Sequence, residues 1–137
     1  MPVGVQEQLK QAQITPMTYL TLLRNVSFLG RRRKGQDAFR RDHLLALKAF
    51  ALLRAHGLKI SIASEAIEAA FPAISKFASD GHLPVSDGYK VGVRMLSLRG
   101  RLVTAPLEAP IQLGAEEVGR VELDLRGVAA LLPEAEG

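Results

Sequence analysis

The spacing of apolar residues changes period once along this chain, and that change dictates the fold class. Up to about Ala78 the apolar residues recur every three or four positions. Further on, Tyr89, Val91, Val93 and Met95 alternate with Lys90, Gly92 and Arg94, and Val121, Leu123 and Leu125 alternate with Arg120, Glu122 and Asp124. Steps of three and four fill one face of a helix, whereas strict alternation fills one face of a strand. Helices followed by strands, rather than interleaved with them, predict an α+β protein with an antiparallel sheet. The 137 residues suffice for one ordinary domain with an elaboration and not for two full-sized domains. With 47% hydrophobic and 23% charged residues, the chain can build a core and is not disordered throughout.

Local signals divide the helical part. Residues 5–13 read as a short helix with Val5, Leu9 and Ala12 on one face. Thr15 can cap a second helix, for which Pro16 presets the first φ angle. That helix runs to Asn25 or Ser27, with Tyr19, Leu20 and Leu23 spaced for burial. Gly30 and Gly35 flank the four cations Arg31, Arg32, Arg33 and Lys34, and Phe28 and Phe39 stand at the ends, a pattern suiting a β-hairpin or wing with a basic tip. A third helix spans Arg41 to His56, carries Leu44, Leu47, Phe50, Ala51 and Leu53 at helical steps, and stops at Gly57 in a left-handed cap. A fourth covers Ile62–Phe71, where Pro72 cuts or kinks it, with a further turn reaching toward Ala78. Beyond it, Leu98–Leu102 predicts a hairpin turn, Pro106 and Pro110 bound an irregular or edge piece, and Gly127–Leu132 a last helical turn or two. Residues 1–80 are thus expected to form one module and residues 81–137 a small β-rich region.

Charge divides the chain in nearly the same place. Through Ile60 there are eleven Lys/Arg against three Asp/Glu, giving +8; from Ser61 onward there are seven against eleven, giving −4. A basic segment of this size can neutralise phosphates and release counterions, and an acidic one is repelled by the same polyanion. The expectation is an N-terminal module facing double-stranded DNA, the plain alternative being a solvated basic face. A helix in the major groove needs short polar or basic side chains outside, and Thr15, Met17, Thr18, Thr21, Arg24 and Asn25 fall where such a face would be. Arg24 and Asn25 suit bidentate contact with guanine and adenine edges, or else simply end a helix. Arg31, Arg32, Arg33 and Lys34 suit phosphate or minor-groove contact, and Arg40 and Arg41 either add backbone contacts or are solvated.

The order Ile14-Thr15-Pro16, a basic wing, Phe39, His43-Leu44, Leu47, Phe50, Leu53-Arg54 and Gly57 resembles the N-terminal domain of the MerR-type transcriptional regulators. The resemblance covers about Leu9 to Ile67 and implies a winged helix-turn-helix, with residues 16–24 as recognition helix and 30–35 as wing. Three departures stand out. Gln13 occupies the place of the family's Gly; Leu20, Thr21 and Leu22 replace its Arg-Tyr-Tyr; and Asp37 falls where an arginine of the wing is usual. The family's long dimerisation helix is also missing after Gly57, so the head is joined to a different tail.

Other chemistry finds little support. Gly30–Gly35 has the glycine spacing of a phosphate loop, but Gln36 and Asp37 stand where its Lys and Ser/Thr are required. His43, His56 and His82 have no ligand-pair spacing, so neither a metal nor another cofactor is expected. His56 suits a helix end. Asp80, Asp87 and Glu108 are loop carboxylates without a paired nucleophile, so no enzyme is expected. No cysteine is present, no apolar run approaches a membrane span, and the N-terminus lacks the order of a secretory signal, which predicts a soluble cytoplasmic protein. The tail is expected to dimerise the protein through strand edges at 89–98 or 120–125, the other readings being a small-molecule site, for which its few aromatics offer little stacking, or a surface for a protein partner. Three functions follow: a DNA-binding transcriptional regulator, a phage-type DNA-packaging or recombination accessory protein, or an antitoxin-like adaptor acting through its C-terminal strands.

Overall fold

A computed structural model describes residues 5–27, 29, 39–80 and 90–132. The order of elements is α1 (Val5–Gln11), α2 (Pro16–Asn25), α3 (Arg41–Ala55), α4 (Ile60–Asp80), β1 (Lys90–Leu98), β2 (Arg101–Pro106), β3 (Glu116–Asp124) and α5 (Leu125–Ala130). The protein is α+β, with the change of period falling where helices give way to strands. The wing expected at residues 30–35 lies outside the described residues.

Helix α3 is the hub. Leu45, Ala46, Leu47, Ala49, Phe50 and Leu53 are all nearly or fully buried, so it is enclosed around more of its circumference than the stripe of Leu44, Leu47, Phe50 and Ala51 predicts. The reason is that it packs on α4 and on α5 at once. It ends as its sequence requires: Gly57 adopts φ +89°, its N–H bonds the Arg54 carbonyl at 2.9 Å, and the Leu58 N–H reaches the Leu53 carbonyl at 3.4 Å. His56 Nδ1 lies 2.8 Å from the Leu52 carbonyl oxygen at the same helix end.

Helix α4 corrects one expectation. It runs for 21 residues with Pro72 inside, so the proline does not cut it, and the turn expected to reach toward Ala78 belongs to the same helix and extends to Asp80. Pro72 is exposed, so water can serve the Glu68 carbonyl that loses its usual partner. Ala63, Ala66, Ile67, Ala70 and Ile74 are all fully buried on the opposite side, and this burial outweighs the local penalty. That apolar stripe is covered within the chain, by α3 on one part and by β1 and β2 on another. Asp80, expected in a loop, is its last residue.

The three strands form one antiparallel sheet in the order β2-β1-β3. Arg99 and Gly100, at φ 52° and 78°, make the tight turn between β1 and β2 expected at Leu98–Leu102. Between β1 and β3 the pairing passes from Met95↔Gly119 to Leu96↔Glu117, so Val118 is an extra, bulged residue. Val91 and Val93 point into the core shared with the helices. Lys90, Arg94, Glu117, Arg120 and Glu122 form a ladder of ion pairs: Lys90 to Glu122 at 3.0 Å, Arg120 to Glu117 at 2.8 Å and to Glu122 at 3.1 Å, and Arg94 Nε to Glu117 at 3.3 Å. A second correction concerns dimerisation. Strand β1 is central and its residues 93–97 pair on both sides, so that stretch has no free edge to offer another chain. Among the described residues the outer edges belong to β2 and β3. Leu125, Val128 and Leu132 return to the core, so a single cluster runs from Leu9 to Leu132. Asp124 caps α5 by accepting from the Arg126 N–H at 2.9 Å.

Candidate nucleic-acid interface

The first two helices are joined by the four residues Ala12–Thr15, and the turn is built by hydrogen bonds that the residue types explain. The Ile14 N–H bonds the Leu9 carbonyl at 2.8 Å and the Gln13 N–H bonds the Lys10 carbonyl at 3.0 Å, the pairing that closes a helix with a left-handed residue. Gln13 is that residue, at φ 65°. A side chain there costs about 1–2 kcal/mol relative to glycine. The Gln13 Oε1 in turn accepts from Lys48 Nζ at 2.8 Å, satisfying an ammonium that α3 holds in the interior with Lys48 only 5% exposed. A glutamine in this left-handed position thus has a partner, the buried Lys48, that a glycine there would lack.

Thr15 then caps α2, its Oγ1 accepting from the Thr18 N–H at 3.2 Å and donating to the Thr18 hydroxyl at 2.9 Å, with Pro16 in the first turn. Successive residues turn by about 100°. Leu22 and Val26 are buried and Tyr19 and Leu23 half-buried, so Met17, Leu20, Thr21 and Arg24 must occupy the opposite side, and they do. Met17 is 78% and Leu20 57% exposed. Sequence reasoning places Leu20 inside; Leu22 takes that position. The signal is present, since Leu20 stands three residues from Met17 and four from Arg24, and all three share one face. Thr21 donates its hydroxyl to the Met17 carbonyl at 3.2 Å and Asn25 its Nδ2 to the Thr21 carbonyl at 3.0 Å, leaving the amide oxygen of Asn25 to face outward partners. Arg24 makes no hydrogen bond or ion pair among the described residues. Thr18 and Asn25 flank the stripe.

The helix is fixed at both ends and along its inner side. Both oxygens of Glu68 on α4 hold Ser27, one accepting from its N–H at 3.0 Å and the other from its hydroxyl. The Tyr19 ring meets Phe39 edge-on, with centroids 5.6 Å apart. Phe39, one of the two aromatics expected to anchor the wing, is buried, and its N–H donates to the buried Gln8 Oε1 at 2.7 Å, tying α1 to the start of α3; Phe28 lies outside the described residues. Neither the Gln8 tie nor the Ser27–Glu68 tie has a local sequence signal, because each joins residues more than thirty positions apart.

Arg40 and Arg41 open α3 directly after Phe39. The guanidinium of Arg40 donates to Asp42 at 3.3 and 3.1 Å, and Asp42 also accepts from Ser75 Oγ at 3.1 Å and from the His43 N–H at 2.8 Å. Asp42 is buried, so its charge depends on these donors. Arg40 keeps most of its side chain, 65%, in water; Arg41 is half-buried. The ring of His43 lies between Phe39 and Phe71. Arg31, Arg32, Arg33, Lys34, His82 and Asp87 lie outside the described residues. No helix among the described residues is long and apolar enough to cross a membrane. The chain matches no known family model, no curated protein and no solved structure.

Proposed function

We propose that this chain is a sequence-specific DNA-binding transcriptional regulator, a winged helix-turn-helix of the MerR kind, in which α2 enters the major groove and residues 30–35 form the wing that grips the flanking backbone. The observation that carries this reading is the outer stripe of α2, Met17-Leu20-Thr21-Arg24, on a helix fixed by Thr15, by Tyr19 against Phe39 and by Ser27 on Glu68. A rigid helix presenting an arginine without a partner among the described residues meets the need of base readout, in which a bidentate arginine–guanine pair gives about 1–3 kcal/mol of discrimination. Met17 and Leu20 suit thymine methyl groups, so the preferred site places thymines beside a guanine. The +8 charge of the first sixty residues supplies the phosphate attraction.

One head of this size buries too little surface for tight operator binding, so the protein acts as a homodimer. Strand β3 provides the seam: its outer edge is open among the described residues and it is longer than β2, which ends in Pro106. Fluorescence anisotropy with labelled duplex tests the reading. Affinity falls steeply between about 50 and 200 mM salt, and changing Arg31, Arg32, Arg33 and Lys34 to alanine flattens that dependence by about one unit of slope for each phosphate no longer neutralised. Duplex affinity that is absent at low salt overturns it. A second reading, an adaptor that binds a protein through the β region, is favoured by the exposure of Leu102, Leu113 and Val118; it requires the four-alanine variant to behave as wild type.

A further inference from the structure

The outer edge of β3 carries a sequence that matches a reversed copy of itself. Which of its backbone groups face outward follows from β1. The Leu107 N–H donates to the Gly92 carbonyl at 3.1 Å, so Gly92 faces the β2 side. Along a strand the N–H and C=O of one residue point to one side and those of the next to the other. Val93 therefore faces β3, and Pro106, which has no N–H, stands opposite it on β2 where none is needed. Across from Val93 and Val91, Val121 and Leu123 turn their backbone groups toward β1. Arg120 and Glu122 turn theirs outward, and among the described residues no strand lies beyond them.

The side chains of these two residues stand on the face of the sheet opposite Val121, which packs on the core. We propose that two copies of the chain join through β3, antiparallel about a two-fold axis at Val121, so that Arg120 lies opposite the partner's Glu122 and Glu122 opposite the partner's Arg120. Each opposed pair exchanges two backbone hydrogen bonds, and the charges alternate in sign around a square. Shifting the register by two residues sets Arg120 on the partner's Arg120 or Glu122 on the partner's Glu122, and like charges directly opposite are destabilising. A shift by one sets outward backbone groups against inward ones. Edge strands are commonly guarded by charge and by bulges. Here the bulge at Val118 ends the regular edge at Gly119, and the charges beyond it come in an order, Arg-Val-Glu, that a reversed copy complements. A two-fold contact requires that self-complementarity. The pairing rests on the homodimer proposed for operator binding and gives it a register.

The test uses the full chain without DNA, so its outcome is separate from duplex binding. No cysteine is present, and a single introduced one can report the register. Val121 facing the partner's Val121 forms a non-hydrogen-bonded pair with Cα atoms about 4.5 Å apart, within disulfide reach. Val121→Cys is expected to oxidise with diamide to a covalent dimer, whereas Leu123→Cys, also half-buried but facing the partner's Gly119, runs as a monomer on a denaturing, non-reducing gel. Sedimentation equilibrium tests the charges. Arg120→Glu and Glu122→Arg each weaken self-association about tenfold, and an equimolar mixture of the two restores it, because every opposed pair is then of opposite sign. A wild type that stays monomeric overturns the homodimer and the pairing together. A dimer in which Val121→Cys crosslinks no better than Leu123→Cys, or a mixture that associates no better than its components, overturns the pairing alone.

Discussion

Gly92→Ala is the substitution with the largest consequence that the sheet makes calculable. A Cβ built on Gly92 would stand 1.8 Å from the Val121 carbonyl oxygen, 2.9 Å from its carbon and 3.1 Å from the Cα of Glu122. All three are backbone atoms of β3, so no side chain can rotate away. Restoring an ordinary contact of roughly 3.5 Å requires the strands to part by about 1.5 Å, a large fraction of their normal separation. Such a shift forfeits about two ladder hydrogen bonds at about 1 kcal/mol each and adds the strain of overpacking, about 1–3 kcal/mol. The expected loss is about 3–5 kcal/mol, much of the stability of a typical small domain. Urea denaturation followed by circular dichroism measures it. Gly119→Ala is the control in the same strand pair, because its Cβ would meet only the flexible Met95 methyl at 3.1 Å, and it costs less than about 1 kcal/mol. Equal stabilities for the two variants, or a loss below about 1 kcal/mol for Gly92→Ala, would refute the claimed close approach of β1 and β3.

Gln13→Gly relieves the left-handed strain but strips Lys48 of its acceptor, so it destabilises the wild type by about 1 kcal/mol and stabilises the Lys48→Met protein by about as much; a thermodynamic cycle in urea that shows one sign in both backgrounds contradicts the coupling. Glu68→Ala removes both acceptors that hold Ser27 and frees the end of α2, and hydrogen exchange of residues 22–26 accelerates while that of α3 does not; unchanged exchange contradicts the tie. Acidification tests the sheet's charges. The Arg126 guanidinium holds the Asp124 carboxyl below its usual range, and Lys90 followed by Arg120 does the same for Glu122. Groups lowered in the folded state stabilise it fully above the ordinary carboxylate range and lose that contribution as pH falls through the lower folded values. Burial pushes Glu108 up, so its protonation on acidification works in the opposite direction. Arg126→Gln therefore flattens the acid loss of stability between about pH 5 and 2, modestly because these groups face water, and an unaltered pH profile contradicts the assignment.

Much of the fold is legible in the sequence because its signals are local. Thr15-Pro16 and Gly57 mark helix ends through the backbone geometry those residues favour, and the alternation around Val91 and Val121 marks two strands. Three features are not legible for a common reason: tertiary contacts decide them. Pro72 reads as a cut or a kink, and only the burial of Ile67, Ala70 and Ile74 decides that the helix continues through it. Arg101–Pro106 lacks a clean alternation and becomes a strand because β1 pairs with it. The third helix reads as amphipathic, yet neighbours on several sides bury it. Of the candidate DNA-reading residues on α2, Thr15, Met17, Thr21, Arg24 and Asn25 reach the surface as expected from helical geometry, and Thr18 is half-buried. Leu20 is misplaced by its hydrophobicity, which outweighs its position between Met17 and Arg24 on one face. Nothing in the sequence links Ser27 to Glu68 or Gln13 to Lys48, since residue type alone does not specify partners so far apart.

Selection of bound sites from random duplex DNA, with the wild type and with Arg24→Ala in parallel, tests the role of α2 most directly. The wild type is expected to enrich a palindromic site whose half-sites carry a guanine flanked by thymines. Arg24→Ala is expected to lose the preference at that guanine alone, at about 1–3 kcal/mol, while retaining affinity for the backbone. No enrichment by the wild type, or an identical site selected by Arg24→Ala, would contradict the assignment of the Met17-Leu20-Thr21-Arg24 stripe as the surface that reads DNA.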